Sequence, residues 1–127
     1  MKDRTLWIGV LLIIVAFIGF LVYQRTRPGQ YDAFAQCLTD KGVKEYGAYW
    51  CPNCQRQKED FGNSFKKLTY IECALPGGQR AGQTAECTDA GVKGYPTWMF
   101  PDETRLEGYQ PLSILSEKSG CPLQPSS

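Results

Sequence analysis

Histidine is absent from this 127-residue sequence, and that one absence removes much of enzyme chemistry. Without an imidazole there is no His-containing zinc site, no C-x-x-C-H haem attachment, no Cys-His nucleophile pair and no Ser-His-Asp triad. Charge of one sign is lacking too: 14 Lys and Arg against 13 Asp and Glu leave a formal net charge of +1. So balanced a chain offers no electrostatic footprint for nucleic acid or for any strongly charged partner. There is no internal repeat, and the Ser/Pro ending from Gln124 to Ser127, expected to fray, is the closest approach to a low-complexity tract.

What the chain does have is apolar and sulfur-bearing. A hydrophobic fraction of 43%, with 13% aromatics, is enough to build the core of one small domain. Six cysteines in so short a chain point to an oxidising compartment or to a metal site, and only their spacing can separate the two.

The apolar residues are concentrated at the start. Leu6 to Val22 (LWIGVLLIIVAFIGFLV) runs for 17 residues without a charge. As a helix it would be about 26 Å long, close to a hydrocarbon core of about 30 Å. Lys2 and Arg4 precede it, Trp7 and Tyr23 sit at its ends like interfacial anchors, and Arg25 and Arg27 follow. A cleaved signal peptide is the rival reading, but the run exceeds a usual h-region and no small-residue cleavage site follows it. The expected organisation is a transmembrane anchor over 1–24, a polar linker over 25–30, one domain over 31–122 and a tail over 123–127.

Within that domain, Phe34, Ala35 and Leu38 recur at helical spacing before Gly42. Val43 to Trp50 reads as a strand that runs directly into Cys51-Pro52-Asn53-Cys54 and a polar helical stretch. Leu68 to Cys73 reads as a second strand, PGGQRAG (76–82) as a loop, and Gln83 to Ala90 as a short helix stopped by Gly91. Thr97 to Phe100 and Arg105 to Tyr109 read as a hairpin turned at Pro101-Asp102-Glu103, and Pro111 to Ser119 as a terminal helix. This order is α/β with a closing hairpin.

A C-x-x-C placed where a strand becomes a helix has a direct chemical meaning. The first sulfur sits at the helix N-terminus, where unpaired N–H groups and the helix dipole favour thiolate over thiol, so Cys51 is the candidate nucleophile. Pro52 suits the first helical turn because it has no N–H to leave unpaired, and Cys54 is near enough to resolve a mixed disulfide. Half of a four-cysteine zinc site is the alternative, but no second close pair follows: Cys73 and Cys87 lie 13 residues apart in the intervening count. No metal and no cofactor beyond a redox-active Cys51–Cys54 disulfide is expected. The other four cysteines, Cys37, Cys73, Cys87 and Cys121, admit three pairings, or a second redox pair that relays electrons onward. Either use requires an oxidising location, which would place the domain outside the cytoplasm with the helix running N-in, C-out. Tyr49, Trp50, Tyr95 and Trp98 are candidates either for an apolar rim that meets unfolded substrates or for core.

These residues carry a resemblance. YWCPNC, followed by VKGYPTWMF and a glycine-containing return strand, looks like a thioredoxin fold: a central mixed sheet flanked by helices, here preceded by one transmembrane helix. More narrowly, FAQCLTDKGVKEYGAYWCPNCQRQKEDFG, YIEC, PGGQ, AGVKGYPTW and the terminal SGC resemble the thioredoxin-like domain attached to bacterial and plant homologues of vitamin K epoxide reductase. In those fusions the domain passes electrons from secretory proteins to a quinone-reducing membrane domain, which this sequence does not contain. The resemblance implies a stand-alone oxidase or isomerase of protein thiols, recharged by a separate quinone-linked membrane oxidoreductase, in a periplasm, at a cell surface or in an organelle lumen. A reductase of the same fold supplying electrons outward, and a thioredoxin-like binding module with an inert disulfide, are the competing functions.

The resemblance further implies a cis Tyr95-Pro96 peptide facing the cysteine pair, with the Tyr95 backbone open to an extended substrate and Trp50, Pro52 and Asn53 beside it. It favours the structural pairings Cys73 with Cys87 and Cys37 with Cys121. Glu45, six residues before Cys51, matches the buried acid of thioredoxins, able to carry the proton of Cys54, whereas the reductase-linked domains commonly have an apolar residue there. Asn53 departs as well, standing where oxidising members often have histidine. With no imidazolium beside Cys51, a less oxidising disulfide is expected.

Overall fold

A computed structural model describes residues 1–125, the side chain of Lys2 excepted. Eleven elements follow in order. They are α1 (Lys2–Thr26), α2 (Asp32–Asp40), β1 (Lys44–Gly47), α3 (Pro52–Phe61), a 3₁₀ turn (Gly62–Lys67), β2 (Thr69–Glu72), a second short turn (Gln79–Ala81), α4 (Ala85–Asp89), β3 (Thr97–Met99), β4 (Arg105–Glu107) and α5 (Leu112–Ser119). The strands form one sheet in the order β2-β1-β3-β4. β1 and β2 are parallel, joined through α3, and the other two pairings are antiparallel. This is a thioredoxin-like fold with one additional N-terminal helix.

The hairpin explains itself locally. Pro101 and Asp102 occupy the turn, Glu103 takes a left-handed φ of 64°, and the Asp102 carboxylate accepts from the Thr104 N–H at 3.1 Å. Register then fixes the two faces, because side chains alternate along each strand. Glu45 pairs with Tyr70 on one side and Trp98 on the other, and Trp98 pairs with Leu106. That face meets Phe34 and Leu38 of α2, Phe61 of α3 and Leu115 of α5 in the main core. The opposite face, through Tyr46 and Ile71, packs on Val92 and on the bonded pair Cys73 and Cys87, which α4 brings in.

Two disulfides close the domain. Cys73 is bonded to Cys87 and Cys37 to Cys121, the second spanning 84 residues and tying α2 to the chain end just after α5. Lys41 reinforces that seam by donating to the Ser119 carbonyl at 2.7 Å, a cation placed at a helix C-terminus.

α1 is apolar all round, and its large side chains from Leu6 to Val22 are all exposed. By length and composition it can cross a membrane, a test that a signal sequence also passes. The helix continues to Thr26, two residues into the expected linker. Its last carbonyls find donors in the 3₁₀ turn: the Asn63 amide donates to Gln24 O at 3.1 Å and Arg27 O at 3.3 Å, and Lys66 Nζ reaches Arg25 O at 3.5 Å. At the other end Leu123 packs on the core, so the expected tail is docked at its first residue, while residues 126 and 127 lie outside the described residues.

Candidate active site

β1 ends at Gly47, and the four residues after it turn the chain into α3. Cys51 occupies the N-cap in an extended conformation (φ −81°, ψ 121°), Pro52 opens the helix, and the Cys51 carbonyl accepts from Gln55 N at 3.1 Å. The Cys51 sulfur therefore lies at the positive end of a three-turn helix. It is 6% exposed, and Cys54, one turn further, is fully buried.

Small residues make room for the pair. Ala48 and Ala74 enclose the two sulfurs, with Trp50 and Tyr95 packed over them, their rings edge to face at 5.6 Å. The Tyr95-Pro96 peptide is cis, and the Tyr95 carbonyl accepts from Cys51 Sγ at 3.5 Å. Sequence reading placed Cys51, Pro52, Asn53, Cys54, Trp50, Tyr95 and Pro96 at one site, and the fold brings them together, with Pro52 and Asn53 on the exposed rim.

The two sulfurs are not equivalent. Burial pushes the Cys54 thiol up to about 12, a backbone hydrogen bond from Ala48 offsets part of this, and the neighbouring Cys51 and Glu45 raise it further. Cys54 thus holds its proton firmly. Glu45 lies on β1 beneath the pair, fully buried, and neither carboxylate oxygen has a hydrogen-bond partner among the described residues. Burial pushes its carboxyl up to about 8, with the Lys58 ammonium pulling the other way. The departure noted in the sequence is therefore a buried acid that is protonated at neutral pH and ionises just above it.

Lys58 stands over the Tyr70 ring at 4.6 Å, and the Tyr70 hydroxyl donates to Glu72 at 3.0 Å. Burial, followed by that hydrogen bond, raises the Tyr70 phenol. Tyr70 also closes on Gly47, where a Cβ would stand 2.6 Å from the ring, so any larger residue at this strand position must displace the Tyr70 ring. Glu72 in turn accepts from Tyr49 N at 3.1 Å and Ala74 N at 2.9 Å, fixing the two segments that flank the sulfurs.

Of the four candidate rim aromatics the structure separates two. Trp98 is fully buried in the main core, so it is core and not rim, and Tyr49 is 46% exposed. Trp98 Nε1 donates to Gln57 Oε1 at 3.3 Å. Gln57 is a buried structural residue behind the site that sequence reading passed over as part of a polar helix face. It lies three residues after Cys54, is fully buried, accepts from Gln110 N at 2.9 Å and donates to Gln110 O at 2.9 Å, locking α3 to the loop before α5. Gln83 is the other omission, its side-chain oxygen accepting from the Tyr95 hydroxyl at 2.5 Å. Cys37, Cys73, Cys87 and Cys121 are paired in disulfides, and Cys51 and Cys54 are present as thiols.

No family model matches the chain. It is 42% identical over 94 residues to the thiol-disulfide oxidoreductase LTO1 of Arabidopsis thaliana, an alignment covering 72% of this chain and 24% of that protein. The chain therefore spans about a quarter of its relative's length, and a stretch that long includes the Cys51 to Cys54 segment wherever it begins. The similarity relates the chain to a thiol-disulfide oxidoreductase.

Proposed function

We propose that the chain is a membrane-anchored thiol-disulfide oxidoreductase that exchanges disulfides with protein substrates outside the cytoplasm through Cys51 and Cys54. The observation that carries this reading is the placement of Cys51: at the N-cap of α3, against the carbonyl of a cis-proline segment, with a buried thiol one turn behind it. The name of the Arabidopsis relative agrees with it.

In the oxidising direction a substrate thiolate attacks Cys51 of the Cys51–Cys54 disulfide. A mixed disulfide forms and Cys54 leaves as a thiolate, which takes the proton held by Glu45 through an intervening water, since the carboxyl makes no direct hydrogen bond to the sulfur. A second substrate thiolate then attacks the substrate sulfur of the mixed disulfide and releases Cys51. The substrate has lost two electrons and the pair has gained them. A quinone-linked membrane oxidoreductase resembling vitamin K epoxide reductase would remove those electrons and restore the disulfide. The exposed apolar surface of α1 supports anchoring through residues 6–22, and the two further disulfides support an oxidising compartment for the domain, which is what favours an N-in, C-out orientation. The reductase reading draws support from Asn53, which supplies no cation beside Cys51.

Substituting Cys54→Ala removes the resolving thiol. In membranes of cells making this variant, mixed disulfides between Cys51 and substrate proteins should accumulate and vanish on reduction. An inert binding module would give none, and that result would overturn the proposal.

A further inference from the structure

The loop from Ala74 to Thr84 runs beside the cysteine pair, and Gln83 is where it touches the site. Ala74 and Gln83 form an isolated antiparallel bridge, Thr84 N donates to Cys73 O at 2.8 Å, and the Thr84 side chain caps α4, which carries Cys87. The backbone of Gln83 is thus held between the two ends of the Cys73–Cys87 disulfide. Its side chain is used at both ends: Nε2 donates to Val92 O at 3.0 Å and Thr88 Oγ1 at 3.3 Å, while Oε1 accepts from the Tyr95 hydroxyl at 2.5 Å. Tyr95 is therefore pinned through its hydroxyl by Gln83 and through its ring by Trp50, and its own carbonyl meets Cys51 Sγ.

We infer that Gln83 is a positioning residue for substrate engagement: by holding the Tyr95 side chain it fixes the Gly94 to Pro96 backbone in register for an extended, cysteine-bearing peptide lying across Cys51. The substrate class is a polypeptide strand, because the group being positioned is a backbone edge and not a pocket. The inference rests on the exchange reading of Cys51 and Cys54. Without the hydrogen bond to Gln83, the Tyr95 ring is free to turn outward, and peptide binding must restore the order that Gln83 supplies beforehand.

The test is steady-state oxidation of a reduced two-cysteine peptide by the full chain in detergent micelles, with glutathione disulfide supplied as the oxidant that restores the Cys51–Cys54 disulfide after each turnover. Gln83→Leu should raise KM about three- to ten-fold, the equivalent of one neutral hydrogen bond, with kcat at saturation retained. Tyr95→Phe removes the same bond from the other side and should match Gln83→Leu, with the double variant no worse than either, which keeps the test open if the leucine variant does not fold. An unchanged KM in Tyr95→Phe, or a Gln83→Leu variant that loses only thermal stability, would overturn the inference. Absence of exchange by the parent chain would instead remove the reading beneath it.

Discussion

Replacing Glu45 with glutamine should remove a loss of stability that the parent suffers as pH rises, and should make the protein slower as an exchanger. The carboxyl is fully buried without a hydrogen-bond partner, and burial raises it from 4.5 to about 8. Below pH 4.5 it carries its proton in folded and unfolded chains alike, and the two states do not differ. Between 4.5 and about 8 the unfolded chain has released the proton and the folded chain has kept it, so stability falls with rising pH by about 1.4 kcal/mol per unit. Above 8 both are ionised and the loss levels off near about 5 kcal/mol, or about 3 kcal/mol at pH 7. Glutamine has no proton to lose and escapes that slope. Its amide is itself buried and unpaired, which costs about 1–3 kcal/mol at every pH, so the signature is the slope and not the offset. Urea unfolding of the full chain in micelles, followed by the fluorescence of buried Trp98 at a series of pH values, measures it. The stability of Glu45→Gln relative to the parent should grow steadily from pH 5 to 8. A difference that is flat across that range would refute the reasoning. If Glu45 also carries the proton of Cys54, release of Cys54 from the mixed disulfide should slow by on the order of 10²-fold.

The remaining expectations concern other parts of the chain. Asn53→His should raise the reduction potential of the pair by on the order of 30 mV, read by equilibration with glutathione, since an added cation favours the Cys51 thiolate and hence the reduced form. No change, or a fall, would contradict the role given to Asn53. Gln57→Leu strips partners from Trp98 Nε1 and both Gln110 backbone groups and should cost about 1–3 kcal/mol for each group left unpaired, seen as a lower urea midpoint. Replacing both Cys73 and Cys87 with serine opens a loop of 14 residues' separation and should cost about 3 kcal/mol by the same measurement. Alkaline extraction should leave the full chain in the bilayer pellet with its N-terminal residues intact by mass; a shortened chain in the supernatant would mark α1 as a cleaved signal.

What could be read from the sequence was what is local. Helical spacing, the turn at Pro101 to Glu103 and the position of Pro52 after Cys51 are set by neighbours a few residues apart; α2, the hairpin strands and α5 lie within a residue or two of their expected places, whereas β1 stops at Gly47, three residues before Trp50, and α3 gives way to the 3₁₀ turn at Gly62. Gln57 was not legible, because nothing in QRQKEDF distinguishes a buried amide from its solvated neighbours; the groups that claim it come from Trp98 and Gln110, 41 and 53 residues away. The same holds for Gln83 with Tyr95 and for the assignment of Trp98 to the core, which depends on its register opposite Glu45. The capping of α1 by Asn63 and Lys66 was equally hidden, since those side chains sit in a 3₁₀ turn with no periodic signal. Spacing alone left three disulfide pairings open; resemblance, not geometry, chose among them, and the Cys37–Cys121 bond joins residues 84 positions apart.

The central claim is that Cys51 and Cys54 exchange a disulfide with a peptide, and mass measures it without a reporter. The oxidised full chain is mixed in micelles with a peptide carrying two thiols, quenched with acid and weighed. The expected result is a peptide lighter by two hydrogens and a protein heavier by two, with no transfer in Cys51→Ala. Masses that stay unchanged while the parent chain remains folded would contradict the account.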